Sequence, residues 1–392
     1  MLSVLLNRRK AMLPIALAAA SLWLAACEPI PSAGRGPAVD PSKPVPVALL
    51  LPSGSGGSGD EILARDLKQA ADMAVADLAG SVTIDLRVYN VGSDPAMAAQ
   101  MATQAVADGA AIILGPVYGE SANAAGAAVR GTGVNVLSFS NNTDIAGGNV
   151  FVLGQTYQNS AARVVSYAAS QGKRNILIVH EQIPQGDLGR RAIEAAARQS
   201  GARIAGIVPF EFSGPGVTAA VPTIVSTAKA TGADALVLTS DPAGALPLLA
   251  QVLPQAGLTG SQIQYAGLTR WDLPPDTMRL PGLEGGLFAY PDQATYGKFR
   301  SRYTAAYGSE PNLIAGLAYD GVAAIGALVK SGRSDPFSVA SLTQGAGFAG
   351  VNGVFRLRAD GTNERGLAIA QIRNGTLVII DPAPRSFGGA GL

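Results

Sequence analysis

Short apolar runs alternate with segments of helical periodicity along most of this chain. The first apolar run, Val45–Leu51, is uninterrupted, and after it Leu67, Ala74 and Leu78 recur at the spacing of one helix face. The same succession continues to about residue 139 and begins again at about residue 159. Uninterrupted apolar strands separated by helices are typical of a parallel sheet that helices cover on both faces. The pattern therefore predicts an α/β fold with two similar lobes, each a doubly wound parallel sheet.

The apolar runs predict strands, and the periodic segments predict helices. The predicted strands are Val45–Leu51 and residues 83–89, 111–114, 135–139, 175–180, 204–210, 235–239, 286–290, 354–357, 367–372 and 377–380. The predicted helices are residues 60–78, 95–108, 121–130, 159–171, 187–200, 219–231, 243–256, 296–307 and 312–330. Asn374 and Gly375 separate the last two strands, and this pair predicts a tight hairpin turn.

The beginning of the chain has a different pattern. Three basic residues at 8–10 precede an apolar stretch, and Leu-Ala-Ala-Cys follows at 24–27, as in a secretory signal. The apolar stretch is shorter than the ~20 residues that a membrane-spanning helix needs. A cysteine directly after small residues resembles the lipobox of bacterial lipoproteins, which implies that Cys27 is acylated and becomes the mature N-terminus. The alternative is an ordinary signal peptide with an incidental cysteine.

These patterns divide the chain into five predicted regions. A signal peptide at 1–26 and a lipidated cysteine with a flexible Pro-, Gly- and Ser-rich linker at 27–44 come first. The first lobe is expected to combine 45–153 with 291–335, and the second lobe to combine 154–290 with 336–382. A Gly-rich tail at 383–392 is expected to be disordered.

Composition and charge narrow the classes of function. The chain has 29 basic and 28 acidic residues, and removal of the signal peptide leaves 26 basic residues against the same 28 acidic ones. This balance gives no reason to expect nucleic acid as a partner. Cys27 is the only cysteine, so the folded part has no disulfide and must be stabilised by its core.

Motifs for catalysis or cofactor binding are weak. Residues 54–59 match G-x-G-x-x-G, but Pro52 and Ser53 separate them from the strand, and Asn90 stands where dinucleotide sites have an acidic residue. His180 is the only histidine, and no G-x-S-x-G nucleophile motif occurs. A metal site needs a cluster of His, Cys or carboxylate ligands. We therefore expect no cofactor, no metal and no enzymatic activity.

Small polar residues follow the predicted strands of both lobes. In open parallel sheets, ligands bind in the crevice at the carboxyl ends of the strands. Each residue could instead cap the helix that follows it. The candidate ligand-binding residues for a small polar solute are Ser53, Ser121, Asn141 and Asn142 in the first lobe and Gln185, Asp241, Thr269 and Arg270 in the second.

Several motifs together resemble type I periplasmic solute-binding proteins of the leucine/isoleucine/valine-binding branch. The motifs are residues 47–54, Gly115-Pro116, Ser138, Ala318-Tyr319-Asp320, residues 350–353 and Asp360-Gly361. The resemblance covers residues 45–382 and implies two lobes joined by three crossover segments that close around a ligand. That branch covers its ligand with aromatic residues of the second lobe and holds the ammonium group with an acidic residue. The matching positions here show no aromatic cover, and Arg270 has the wrong sign, which argues against an amino acid.

A second branch of the same fold is similar at further segments. Residues 49–54, 88–90, 115–117, 137–141 and 151–154 resemble lipoproteins known as penicillin-binding protein activators. The resemblance implies a lipid-anchored, non-enzymatic periplasmic protein that contacts a peptidoglycan synthase and regulates peptidoglycan synthesis. The alternative is the substrate-binding protein of an ABC importer, with a permease as partner and an amino acid or amide-like solute as ligand.

Glu28 bears on the membrane in which the protein is anchored, and Trp271 bears on contact with a partner protein. Glu28 follows Cys27 where an inner-membrane retention signal usually has Asp, and by resemblance this favours the outer membrane. Trp271 lies in a long loop with three prolines at 268–283 and is the expected partner contact, because Trp is enriched at interface hot spots. The alternative is that Trp271 packs against its own lobe.

Overall fold

The computed structural model describes residues 37–387. The predicted signal peptide, the predicted lipidation site Cys27 and the last residues of the predicted tail lie outside the described residues. Within the described part, none of the helices is long and apolar enough to cross a membrane.

The described residues contain fifteen strands, and most of them coincide with the predicted apolar runs. They are β1 (Val45–Leu51), β2 (Ile84–Asn90), β3 (Ile112–Leu114), β4 (Val136–Ser138), β5 (Val150–Val152), β6 (Asn175–Glu181), β7 (Arg203–Phe210), β8 (Ala235–Leu238), β9 (Gln264–Gly267), β10 (Leu287–Tyr290), β11 (Phe348–Gly350), β12 (Gly353–Leu357), β13 (Asn363–Arg365), β14 (Ala368–Arg373) and β15 (Thr376–Asp381). The sequence pattern missed β5, β9, β11 and β13 as strands, and each of them has only three or four residues.

Ten α-helices connect these strands in the described part. They are α1 (Ser58–Leu78), α2 (Pro95–Ala107), α3 (Gly119–Ala128), α4 (Tyr157–Ser170), α5 (Pro184–Ser200), α6 (Gly214–Thr231), α7 (Leu246–Gln255), α8 (Gln293–Tyr307), α9 (Ala315–Lys330) and α10 (Val339–Leu342). Side chains satisfy the first free N–H groups of several helices. Asp94 accepts a hydrogen bond from the Ala96 N–H at 2.9 Å, and Thr156 and Asn159 form a capping box at the start of α4.

The strands form two large sheets, which confirms the predicted two-lobed α/β fold. The first-lobe sheet is parallel, in the order β2-β1-β3-β4-β5. The second-lobe sheet has the order β15-β14-β10-β9-β8-β6-β7, in which β14 and β15 are antiparallel additions. The predicted hairpin joins these two strands, and its residues Asn374 and Gly375 have positive φ angles of 52° and 68°. A primed turn of this kind matches the twist of the paired strands.

Strand β1 shows why the apolar runs are uninterrupted. Val47, Leu49 and Leu51 belong to the core between the sheet and one helix layer, together with residues of α1 and α9. Ala48 and Leu50 belong to a separate core on the other face, with residues of α2 and α3. Because side chains alternate between the faces of a strand, burial on both faces requires an apolar residue at every position.

The third, small sheet corrects one predicted boundary. Strands β11, β12 and β13 form an antiparallel sheet, and Phe348, Phe355 and Leu357 lie in the core of the first lobe. Residues 336–357, expected in the second lobe, therefore pack with the first. The inner ends of the predicted linker and tail are also packed, since Val39 lies against the first-lobe core and Ala383 lies in the second-lobe core.

The chain crosses between the lobes three times, as expected from the resemblance. The crossings lie between β5 and α4, between β10 and α8, and between β13 and β14. A buried ion pair ties the third crossing to α9: Arg365 Nη1 lies 3.4 Å from Asp320 Oδ2, and the two side chains are 2% and 0% exposed. Arg365 Nε also donates to the Leu153 carbonyl oxygen at 3.0 Å. The third crossing is thus tied to the first and to α9.

Candidate functional site

A small cavity of about 50 Å³ lies at the carboxyl ends of β6, β7 and β8 in the second lobe. Parallel strands bring the loops that follow them to one edge of the sheet. Helix α5 begins directly at this edge, and Gly186 permits the close approach, since a Cβ there would lie 2.1 Å from the Glu181 carbonyl oxygen. The lining residues are Tyr157, Glu181, Ile183, Gln185, Gly186, Phe212, Thr239, Asp241 and Gly244.

Glu181, the last residue of β6, is the most distinctive group in this cavity. It is only 4% exposed, and the hydroxyl of Thr239 donates to its Oε2. No cation of residues 37–387 pairs with it. A buried carboxylate without a positive partner is costly, and proteins normally supply a cation or a metal at such a place. The described residues contain no group of three or more His, Cys, Asp or Glu able to hold a metal ion.

Two aromatic side chains line the same cavity, which corrects the expectation that an aromatic cover is missing. Tyr157 lies at the start of α4, and Phe212 lies after β7 with 51% of its surface exposed. Burial raises the pKa of Tyr157, and the negative charges of Asp241 and Glu181 raise it further. The cavity therefore combines negative charge with aromatic rings, and both attract an organic cation.

Of the predicted second-lobe residues, the structure brings two together and separates two. Gln185 and Asp241 line the cavity, and both are exposed. Thr269 follows β9, and its hydroxyl is buried with no hydrogen-bond partner in the described part of the chain. Arg270 is only partly buried but lies in an ion pair of its own.

Arg270 is not a free anion-binding group. Its Nε donates to Asp272 Oδ1 at 2.9 Å, and its guanidinium lies 4.5 Å from the centre of the Tyr290 ring. Burial disfavours the charge, but the hydrogen bonds and charge of Asp272 outweigh burial and raise the pKa of Arg270 above its ordinary value. Since Asp272 neutralises this charge, Arg270 no longer argues against a ligand with an ammonium group.

The predicted first-lobe residues mostly hold their own loops. The Ser53 hydroxyl donates to Glu61 Oε2 at 2.7 Å. Ser121 is fully buried, and its hydroxyl donates to the Ser93 carbonyl oxygen at 3.3 Å. Each hydroxyl is therefore engaged within the first lobe, but neither caps the helix of its segment, whose N-cap positions are Gly57 and Tyr118.

The two asparagines of the first lobe differ from each other. Asn142 Oδ1 accepts a hydrogen bond from the Asp144 N–H at 2.9 Å and caps the short 3₁₀ helix Thr143–Ile145. Asn141 is exposed, and its side chain makes no hydrogen bond within residues 37–387. Asn141 is the only one of the four predicted first-lobe residues whose side chain is free for a ligand among the residues described.

Tyr118 fixes the same edge of the first lobe. Its hydroxyl donates to Asp60 in the first turn of α1. This hydrogen bond, together with partial burial, raises the pKa of Tyr118 to about 12. The loop between β3 and α3 is thereby attached to α1, independently of any ligand.

Trp271 does not lie on the surface, and its predicted role as a partner contact is wrong for this structure. The side chain is 0% exposed and belongs to the second-lobe core. It occupies space left by two glycines: a Cβ on Gly267 would lie 2.3 Å from the indole, and one on Gly286 would lie 2.6 Å from it. Missing side chains at these positions make room for the largest residue of the core.

Several solved structures are similar to this chain over most of its length. A branched-chain amino acid ABC transporter periplasmic ligand-binding protein from Burkholderia xenovorans is 18% identical, with a TM-score of 0.69 over 88% of this chain and 97% of that chain. An ABC transporter substrate-binding protein from Desulfitobacterium hafniense, in complex with Leu, is 18% identical, with a TM-score of 0.63 over 86% of this chain and 100% of that chain.

A third structure of the same fold holds a different ligand. A solute-binding protein of an ABC transporter from R. palustris, in complex with benzoate, is 18% identical, with a TM-score of 0.59 over 89% of this chain and 99% of that chain. Identities this low show the fold alone. No curated protein sequence matches the chain. The family model of periplasmic binding proteins matches residues 44–376. The chain therefore belongs to the periplasmic binding protein family, whose members work in the periplasm.

Proposed function

We propose that this protein is the solute-binding component of an ABC importer and that its solute carries an ammonium group, as an amino acid does. The observation that carries this proposal is Glu181, a buried carboxylate without a described cation in a cavity at the carboxyl ends of the strands. An ammonium group would supply the missing positive charge and donate hydrogen bonds to the carboxylate.

The neighbours of Glu181 fit the same chemistry. Tyr157 and Phe212 present aromatic surface, which attracts organic cations, and Asp241 adds a second negative charge at the same cavity. A neutral group could donate a hydrogen bond to Glu181 but would leave its charge uncompensated, and an anionic group would be repelled. We therefore expect the site to prefer a positively charged group.

The size of the cavity limits what it holds. Pockets for whole small molecules occupy ~300–1,000 Å³, whereas this cavity measures about 50 Å³. It is large enough for the ammonium end of a solute and no more. The remainder of the solute would occupy the crevice at the strand ends, where Asn141 is the predicted first-lobe residue with a free side chain.

The importer proposal replaces peptidoglycan regulation as the preferred function. The structurally similar proteins described above are components of ABC transporters. The activator role stays a prediction from sequence, and Trp271, the residue offered for its contact surface, is buried. Acylation of Cys27 and retention at the outer membrane also stay predictions. A lipid anchor at Cys27 is compatible with either function.

Thermal unfolding with a panel of amino acids tests the proposal. A solute present at 100 times its Kd stabilises the folded state by ~2.7 kcal/mol, so a true ligand raises the Tm clearly. Each amino acid is compared with the α-hydroxy acid of the same side chain, which lacks the ammonium group. We expect at least one amino acid to raise the Tm and its hydroxy acid to have no effect.

Glu181→Gln provides the matched variant. Loss of one partner of a buried charge pair costs about 2–5 kcal/mol of binding free energy, so the Tm shift should disappear. Glu310→Gln is the control, since Glu310 is 59% exposed and pairs with Arg300 on the surface. Equal binding of amino acid and hydroxy acid, or no amino acid that binds, would contradict the proposal.

Cells without the protein should also lose uptake of the same amino acid. Reduced peptidoglycan synthesis with normal uptake would instead favour the activator function.

A further inference from the structure

A second and much larger cavity, of about 780 Å³, lies beside the crossings between the lobes; we name it the hinge cavity. One wall comes from α4 and α5 of the second lobe, and the other from β12, β13 and the turn between them. Its lining includes Arg163, Ser166, Ala195, Arg358, Asp360 and Asn363. The volume falls in the range of small-molecule sites, ~300–1,000 Å³. None of the lining residues of the Glu181 cavity contributes to it.

The wall from β12, β13 and the turn between them carries Arg356 and Arg358 together with the carboxylates of Glu364 and Asp360. Arg356 Nε and Arg358 Nη2 lie 2.9 Å and 2.8 Å from the same atom, Glu364 Oε2. Two guanidinium groups therefore share one carboxylate. Arg358 is 52% exposed, and its Nε and Nη1 make no hydrogen bond with residues 37–387. A planar guanidinium with free N–H groups is suited to a carboxylate or phosphate oxygen.

The other charged side chains of the cavity already make hydrogen bonds within the described part of the chain. Arg163 Nη2 lies 2.7 Å from Asp381 Oδ2, and its Nε donates to the Leu367 carbonyl oxygen. The Asp360 carboxylate accepts hydrogen bonds from the N–H and the hydroxyl of Thr362. Arg358 is thus the charged group of this cavity with donors to spare among the described residues.

Asn363 supplies a second and independent observation. It is only 5% exposed, and its Nδ2 donates to the carbonyl oxygens of Val152 and Gly154 at 2.7 Å and 2.8 Å. These two acceptors fix the orientation of the amide. Its Oδ1 is therefore left buried without a hydrogen-bond partner in the described part of the chain. A buried acceptor without a donor is unfavourable, and a hydroxyl or amide donor brought by a molecule against this wall would satisfy it.

From these observations we propose that the hinge cavity is a second binding site, for a small organic anion that also carries hydroxyl or amide groups. The anionic group binds Arg358, and the donor groups serve the wall around Asn363. The site is distinct from the Glu181 cavity, which selects a positively charged group.

Calorimetric titration of the mature protein with D-gluconate tests this proposal. Gluconate is a carboxylate with several hydroxyl groups, and sorbitol has the same carbon skeleton without the charge. We expect gluconate to bind at least about tenfold more tightly than sorbitol, an effect well within the range of one charged contact. Arg358→Gln should remove this preference. Arg198→Gln, an exposed change on α5 that also removes one positive charge, should leave it unchanged.

Two filling variants locate the bound gluconate. Ala195→Phe and Ser166→Trp place a large side chain in the cavity from α5 and α4, and each should abolish gluconate binding. Ser166 is exposed, so its replacement preserves the fold even if Ala195→Phe does not. Failure of the wild-type protein to bind gluconate up to about 10 mM would overturn the proposal. Binding that survives both filling variants, or that competes with the amino acid bound at Glu181, would also overturn it.

Discussion

The loops at the carboxyl ends of the strands use similar residues in the two lobes but for different purposes. In the first lobe, Ser53, Ser121 and Asn142 donate to or accept from neighbours in the same lobe. In the second lobe, Glu181 is buried with only the Thr239 hydroxyl as its described partner. A polar side chain whose hydrogen-bond partners lie in its own lobe holds a loop in place. A buried carboxylate without a described cation, as at Glu181, is where we propose that a ligand binds.

The largest effect is expected at Trp271, which follows a second-lobe strand but packs in the core and does not line the cavity. Trp271→Ala should lower the free energy of unfolding by about 3–5 kcal/mol, because it leaves a large cavity next to Gly267 and Gly286. Chemical denaturation measures this loss. The only other tryptophan, Trp23, lies in the predicted signal peptide, so the mature variant would contain no tryptophan and its unfolding is followed by circular dichroism. A variant with unchanged stability would show that Trp271 is not a core residue.

A smaller loss of stability is expected at Asn142, and it distinguishes this structural residue from Asn141, the predicted ligand-binding residue of the first lobe. Asn142→Ala removes the cap of a short helix and should lower the free energy of unfolding by about 1 kcal/mol. Solute affinity should stay as in the wild type, because the Asn142 side chain is occupied by the Asp144 N–H. Asn141→Ala is the companion variant, and it should show the reverse: unchanged stability and weaker binding. Equal effects of both variants on affinity would contradict the distinction.

Tyr118 in the first lobe and Tyr157 at the Glu181 cavity have raised pKa values for different reasons. The pKa of Tyr118 is raised to about 12, first of all by its hydrogen bond to Asp60. The pKa of Tyr157 is raised by burial and by the charges of Asp241 and Glu181. Because a raised tyrosine pKa favours the neutral form in the folded state, both contributions to stability are present below the ordinary pKa of about 10 and are lost as the pH rises above it.

Spectrophotometric titration distinguishes the effect of the Asp60 hydrogen bond on Tyr118 from the effect of nearby charges on Tyr157. Glu181→Gln removes a negative charge near Tyr157 and should lower the pKa of Tyr157 while leaving that of Tyr118 unchanged. Tyr118→Phe and Tyr157→Phe assign the two transitions. A shift of the Tyr118 transition in Glu181→Gln would mean that the two edges are electrostatically coupled, contrary to the comparison.

The smallest effect on the folded part is expected at Cys27. Acyl chains contribute ~0.8 kcal/mol per buried CH₂ to membrane binding, so Cys27→Ala should move the protein from the membrane fraction to the soluble periplasmic fraction. The Tm of the two lobes should not change, and neither edge of the crevice should be affected. A Cys27→Ala protein that stays in the membrane fraction would show that the cysteine is not the anchor.

The sequence was least informative where residues far apart in the chain come together. Glu181 directly follows the predicted strand 175–180, and nothing in its neighbourhood shows that Thr239, 58 positions later, lies against it. Phe212 and Tyr157 follow different strands, so the aromatic cover of the cavity could not be recognised from either segment. Arg270 looks like a free cation in the sequence, because its bidentate contact with Asp272 depends on the fold of the loop.

The sequence by itself determined the two lobes, the strand and helix pattern of each and the closing hairpin, because periodicity and turn residues act over a few neighbouring positions. Only the tertiary structure decided that Phe348 and Phe355 pack with the first lobe, that Trp271 is buried and that Glu181 lacks a described cation. Packing partners and burial arise from contacts between distant segments. The local pattern that specifies a strand does not determine which distant segments will pack against it.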